Sequence, residues 1–224
     1  MTSSSTPTLS PLHLTGELDA HLSRWLWLVK MFLAIPHFIV LAILWTAFVF
    51  TTIGAGVAIL VTGRYPRALF DFNVGVVRWN WRVGFYVWAA LATDQYPPFT
   101  LARTGHPAEI DVDYPDRLSR GLVLVKWLLA IPHLVIVALT LADLVIYPWA
   151  TGAYSILNLL VVIAGVFLLI TGRYPTTLFD FLMGINRWLY RVLIYVALMR
   201  DEYPPFRLDE GSEVGEIHPA TLGE

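Results

Sequence analysis

Apolar residues dominate two long stretches of the chain and thin out between them. From Trp25 to Thr62 the only ionisable side chains are Lys30 and His37, and from Leu122 to Thr171 only Lys126, His133 and Asp143. Each stretch exceeds the about 20 residues that one helix needs to cross a bilayer, so each is expected to fold as a hairpin of two helices. Both end on TGRYP, beginning at Thr62 and Thr171. Gly63 or Gly172 suits the left-handed residue that closes a helix, and Pro66 or Pro175 forbids its continuation. A different rhythm follows, from Arg67 to Thr93 and from Thr176 to Arg200. Asp71, Gly75, Arg78, Arg82 and Tyr86 recur at intervals of 4, 3, 4 and 4, as do Asp180, Gly184, Arg187, Arg191 and Tyr195. At the helical period these make one narrow polar stripe on an otherwise apolar, tryptophan-rich helix.

The parallel between the two halves is an internal repeat. LSRWLWLVKMFLAIPH at Leu22 returns as LSRGLVLVKWLLAIPH at Leu118, an offset of 96. TGRYPRALFDF returns as TGRYPTTLFDF at an offset of 109, and DQYPPF at Asp94 returns as DEYPPF at Asp201 at an offset of 107. The second copy has therefore gained 13 residues inside its apolar stretch, assigned to the turn-rich segment Asp143 to Ser155. In the first copy the hairpin turn is expected to be tight, near Leu44 to Thr52. The resulting plan is a disordered N-terminal tail (1–23), repeat 1 (24–99), a linker (100–119), repeat 2 (120–206) and an acidic C-terminal tail (207–224).

Composition places this plan in a membrane. Hydrophobic residues make up 57% of the chain and charged ones 14%, with a mean hydropathy of +0.62, far from the about 25% charged of soluble domains. No signal peptide is apparent, since the first 23 residues are polar and carry no lysine or arginine. A formal charge of −2 and the lack of a basic arm exclude a nucleic-acid partner. With no cysteine, disulfides and thiolate chemistry are excluded too.

The fold class expected is all-α: a polytopic helical membrane protein of two tandem repeats, each a transmembrane hairpin plus an amphipathic helix on the interface. Two central arginines cost roughly 5–7 kcal/mol on the insertion scale, and the apolar residues of the third helix recover only roughly 2.5–5. That favours a surface position with the arginines at the headgroups. All 15 lysines and arginines would then lie on one side, which puts both termini in the cytoplasm of a multi-pass inner-membrane protein. If instead the third helices cross, with Asp71 or Asp180 paired to an arginine, each copy has three spans and the copies are inverted, as in transporters.

The polar residues inside the apolar runs are the candidate chemistry. Lys30 and Lys126 are read as snorkelling to the headgroups. His37 and His133, each next to a proline, are read as hydrogen-bonded kink residues, with a haem held between the two imidazoles as an alternative. Arg64, Arg78 and Arg82, with Arg173, Arg187 and Arg191, are the candidate lipid-phosphate ligands, because guanidinium suits phosphate. No nucleotide loop, HExxH, GxSxG or EF-hand sequence occurs, so no catalytic or metal site and no cofactor is expected.

The set R…VK…LAIPH, TGRYP…LFDF…G…RW…R…Y and D-x-YPPF resembles a family of bacterial, largely actinobacterial, membrane proteins known as the domain of unknown function 4389. The likeness runs from Arg24 to Phe206 in two copies. It implies a small polytopic inner-membrane protein and carries no catalytic residues. The function expected is a non-enzymatic accessory or scaffold component that contacts anionic membrane lipids and a protein partner or a second copy. A small transporter or channel using the His and Arg/Asp stripes is the alternative.

Overall fold

The structure, a computed structural model, describes residues 11–140 and 156–209. Among these are seven helices and one two-stranded ribbon, so the chain is mostly helical. Copy 1 contributes α1 (Trp27–Leu33), α2 (Ile35–Thr62) and α3 (Arg67–Val87). Copy 2 contributes α4 (Arg120–Leu129), α5 (Ile131–Thr140), α6 (Ile156–Thr171) and α7 (Thr176–Val196). Strands β1 (Leu12–Gly16) and β2 (Ala108–Val112) form the ribbon.

The expected hairpin of copy 1 does not form. Residues 44–52 lie in the middle of α2, which runs unbroken for 28 residues, about 42 Å at the α-helical rise. Nothing in FVFTTIGAG forces a turn, and Thr51 returns its hydroxyl to the helix, Oγ1 donating to the Ala47 carbonyl at 3.0 Å. The break comes earlier, at Ala34, where Pro36 opens α2 in its first turn, a position where the missing N–H costs nothing. In copy 2 the same phrase separates α4 from α5 with a bend of 42°. The inserted segment Asp143 to Ser155 lies outside the described residues. Gly63 (φ 70) and Gly172 (φ 71) close α2 and α6 in the left-handed conformation, where any other residue is strained.

With α2 a single rod, Arg24 and Lys30 lie before one end and Arg64 follows the other. The cations therefore do not gather on one side, which removes the basis for four spans and cytoplasmic termini. Among the described residues only α2 is long and apolar enough by itself to cross a membrane, and α4 with α5 passes the same test as one bent span. The polytopic two-hairpin architecture is not supported.

The two copies instead run in opposite directions. Trp81 and Tyr190 occupy equivalent positions and touch each other, ring centroids 5.5 Å apart, while Phe85 meets Phe179 at 6.2 Å, so α3 and α7 cross antiparallel. Asn80 Nδ2 donates to the Tyr190 hydroxyl at 2.9 Å across the same crossing. The outer helices are exchanged in step. The Leu118 N–H donates to the Gly63 carbonyl at 2.9 Å and Val123 packs at Gly56, so α4 runs back along α2. Trp27 packs at Gly165 and Arg24 lies against Gly172, so α1 runs back along α6. A pseudo-two-fold axis thus passes between α3 and α7.

Neither α3 nor α7 rides on a surface. The α3 helix is covered nearly all round, by α2 on one side and by the ribbon and its flanks on the other. The expected tail and linker are corrected here: Leu12–Gly16 pairs antiparallel with Ala108–Val112, Leu12 opposite Val112 and Gly16 opposite Ala108. Leu12, Leu14, Ala108, Ile110 and Val112 join the core, and the Trp81 indole donates to the Thr15 carbonyl at 2.9 Å. Residues 1–10 and 210–224 of the two expected tails lie outside the described residues.

The outer layer of α1, α2, α4, α5 and α6 leaves a wide apolar face uncovered. On α2 alone Ile39, Ile43, Phe50, Ile53, Val57 and Val61 are exposed, Phe50 to 70%, at the spacing of one helix face. The opposite side carries the polar edge of the ribbon, with His13, Asp113 and Arg103.

The turn leading into β2 contains a buried base. His106 Nδ1 accepts the Ala108 N–H at 3.1 Å, and burial holds its pKa below the ordinary 6.5. The unfolded turn therefore takes up the proton first as pH falls, so the contribution is full above about pH 6.5 and is lost below it. Hydrogen exchange at the Ala108 amide is expected to accelerate on going from about pH 7 to about pH 5, after correction for intrinsic rates. A His106→Asn variant, whose carbonyl accepts without titrating, is expected to lose that dependence.

Candidate functional site

The repeated phrases meet one another in space. After α3 the chain turns back through Leu91, a left-handed residue at φ 55, and after α7 through Leu198, at φ 62. The next ten residues of each copy, 93–102 and 200–209, form a strap laid along the copy's own helices. Asp94 at its head accepts from the Lys30 ammonium at 2.8 Å and from the Ser23 N–H at 2.6 Å. Asp201 does the same with Lys126 at 2.6 Å and Ser119 at 2.6 Å. Each ammonium also donates to a strap carbonyl, Thr93 at 2.6 Å or Arg200 at 2.7 Å, and stands over Tyr86 or Tyr195. Both lysines are 1% exposed. They do not snorkel, because the strap supplies a carboxylate and a carbonyl inside the protein.

The middle of the strap occupies the histidines. Phe99 stacks on the His37 ring at 4.0 Å and Phe206 on His133 at 3.9 Å, with Tyr96 and Tyr203 beside them. The Trp79 indole N–H donates to His37 Nδ1 at 3.0 Å. The tyrosine hydroxyls donate to carbonyls at the helix break, Tyr96 to Leu33 at 3.0 Å and Tyr203 to Leu129 at 3.4 Å. Each histidine belongs to its own strap. His37 packs on Trp79, Tyr96 and Phe99, and His133 on Trp188, Tyr203 and Phe206, so the two imidazoles share no ring neighbour.

The end of the strap takes the arginines. Arg82 Nη1 and Nη2 donate to the carbonyls of Thr100 (3.1 Å) and Ala102 (2.7 Å). Arg191 repeats both bonds at the equivalent residues, Arg207 (3.0 Å) and Asp209. Gly75 and Gly184 are where the strap crosses the helix, and a Cβ at either would lie 2.8 Å from the Cβ of Leu101 or Leu208. In copy 1 the ribbon adds carboxylates: Glu109 to Arg82 at 2.6 Å and Asp111 to Arg78 at 3.0 Å. Arg78 also donates to the carbonyls of Leu101 (2.8 Å) and Ile110 (3.0 Å). Burial lowers the Arg78 pKa and Glu109 pulls it back. The stripe expected to hold lipid phosphate is thus consumed inside the protein at Arg78, Arg82 and Arg191.

This strap-and-helix unit, present twice, spans the segments that match a known family profile, at residues 24–100 and 120–207. The chain belongs to the family of the domain of unknown function DUF4389. No curated protein and no solved structure matches it. Each DUF4389 copy therefore extends from the arginine at or just before the start of its first helix to the strap.

The remaining candidates lie elsewhere. Asp71 is exposed and paired with Arg67 at 3.0 Å, not with the stripe, and Asp180 is exposed as well. Arg187 is half-buried, while Arg64 and Arg173 are exposed at the ends of α2 and α6. Sequence reading missed Glu109, Asp111 and the strap carbonyls as the partners of the stripe. The signal was present: LHLTG and AEIDV alternate apolar and polar residues at the period of a half-buried strand.

The ion pair at the strap head gives an asymmetric prediction. Asp94→Asn leaves a fully buried ammonium without its counter-charge and is expected to cost about 3 kcal/mol or more. Lys30→Met leaves a partly exposed carboxylate that keeps the Ser23 N–H, so a smaller loss is expected, and the double variant should recover part of the Asp94→Asn loss. Thermal unfolding in detergent checks the order; equal losses in both single variants would remove the pair from the account.

Proposed function

We propose that this DUF4389 protein is a non-enzymatic membrane component that lies in one leaflet on its outer helical layer and presents the ribbon side to a protein partner. The observation that carries the reading is the uncovered apolar face of α1, α2, α4, α5 and α6, opposed by a polar ribbon face. Contiguous apolar surface of this extent marks a membrane or interaction site.

Depth decides between lying and crossing. The middle of α2 packs on the middle of α3, through Thr51 with Asn73 at 2.6 Å and Trp45 with Asn80 at 3.1 Å. The ribbon covers the other side of that same stretch, through Arg78 and Trp81. With α2 upright, His13, Asp113 and two open strand edges would sit at mid-bilayer, where unpaired backbone and charge are not tolerated. With α2 in the plane of the leaflet they face water, and the pseudo-two-fold axis stands along the membrane normal so that both copies meet lipid alike. Single cysteines introduced at Ile39, Ile43, Phe50, Val57 and Val61, unique because the chain has none, give spin labels whose depth can be measured. We expect one shallow depth at all five and a water-exposed label at His13. A profile deepest at Phe50 and rising toward both ends would establish a crossing helix and overturn this seating.

The antiparallel copies favour a second reading, a small carrier with inverted repeats. It needs the His and Arg stripes to be open to a substrate, whereas the straps occupy them. Proteoliposomes of the wild-type protein are expected to show no proton or anion flux above empty vesicles; flux that is lost in His37→Ala and His133→Ala would restore the carrier.

A further inference from the structure

Of the 15 lysines and arginines, most have an acidic partner in the fold. Lys30, Lys126, Arg67, Arg78, Arg82, Arg103, Arg200 and Arg207 all pair with Asp or Glu. Arg64, Arg117 and Arg120 have no such pair among the described residues, nor do Arg24 and Arg173. These five are not scattered. Arg64, Arg117 and Arg120 line one crevice of ≈ 450 Å³ with Thr62, Gly63 and Leu118 at the end of α2. Arg24 and Arg173 flank Gly172 at the end of α6, the pseudo-symmetric place.

We propose that the crevice of Arg64, Arg117 and Arg120 binds a phosphate group, and that the end of α6 is its second, weaker copy. One cation at a helix C-terminus is accounted for by the helix dipole. Three are not, since like charges brought together without a carboxylate repel one another unless an anion joins them. Arg64 comes from copy 1, Arg120 from copy 2 and Arg117 from the segment between them, held there by the Leu118 N–H on the Gly63 carbonyl at 2.9 Å. The site thus forms only when the copies are assembled. Gly63 forms part of the floor, with Leu118 O and Arg120 Nε 3.7 Å and 3.6 Å from where its Cβ would be. Planar guanidinium forks suit phosphate oxygens. The phosphate of an acidic lipid headgroup and free phosphate share this chemistry. The lipid source rests on the membrane seating proposed above, and the free-phosphate source does not.

The test uses the full chain and the double variant Arg117→Gln/Arg120→Gln. A control double variant, Arg67→Gln/Arg207→Gln, removes two cations that the fold already pairs. Binding is measured to phosphatidylcholine vesicles with and without phosphatidate, and to inorganic phosphate in detergent solution by calorimetry. Wild type is expected to prefer phosphatidate vesicles, with about a fivefold loss per site arginine removed and little change in the control. Preference for inorganic phosphate over phosphatidate, lost in the site variant, would assign the crevice to free phosphate. Equal loss in control and site variants, or no preference for phosphate in either form, would overturn the site. Failure of the wild type to bind phosphatidylcholine vesicles at all would sink the seating instead, and the calorimetric arm would still decide the crevice.

Discussion

The molecule turns on two guanidinium groups, each held by two backbone carbonyls of its own strap. Arg82 and Arg191 lie on the inner helices of an apolar protein, where an unpaired charge costs several kcal/mol. The straps remove that cost by offering oxygens at matched positions, Thr100 with Ala102 and Arg207 with Asp209. The rest of the fold follows from keeping the straps in place. Lys30 and Lys126 fasten their heads, and the histidines provide the flat surface for their phenylalanines. Gly75 and Gly184 let them cross the helix closely.

The repeated VK…LAIPH phrase therefore carries residues that an apolar segment would otherwise reject because each meets a partner in D-x-YPPF. The lysine of one motif pairs with the aspartate of the other, and the histidine stacks on the phenylalanine. This also explains why the inner helices can be buried with arginines in them: their polar stripe faces protein and not lipid.

How the copies fit together has a separate cause. Trp81 and Tyr190 meet near the pseudo-two-fold axis, and Leu91 and Leu198 fill the notches left by Gly165 and Gly56. Each copy completes the other, and most of the apolar surface that remains lies on the outer helices. That distribution, more than the length of any one helix, is what favours a seat in one leaflet.

Much of the organisation was legible in the chain itself. The duplication, the boundaries of each copy, the glycine-terminated helix ends at Gly63 and Gly172, and the stripe of Gly75, Arg78 and Arg82 are periodic or literal repetitions, and local sequence sets them. The hairpin near Leu44 to Thr52 was misread because length alone argued for it, while an apolar run has no local signal that tells one long helix from two short ones. The surface placement of the arginines, the lysines' route to water and the linker were misread for one reason: the partner of each charge lies between 16 and 75 residues away in sequence. Which carbonyl or carboxylate meets a cation is decided by how the copies cross and how the straps lie, and only the tertiary structure holds that information.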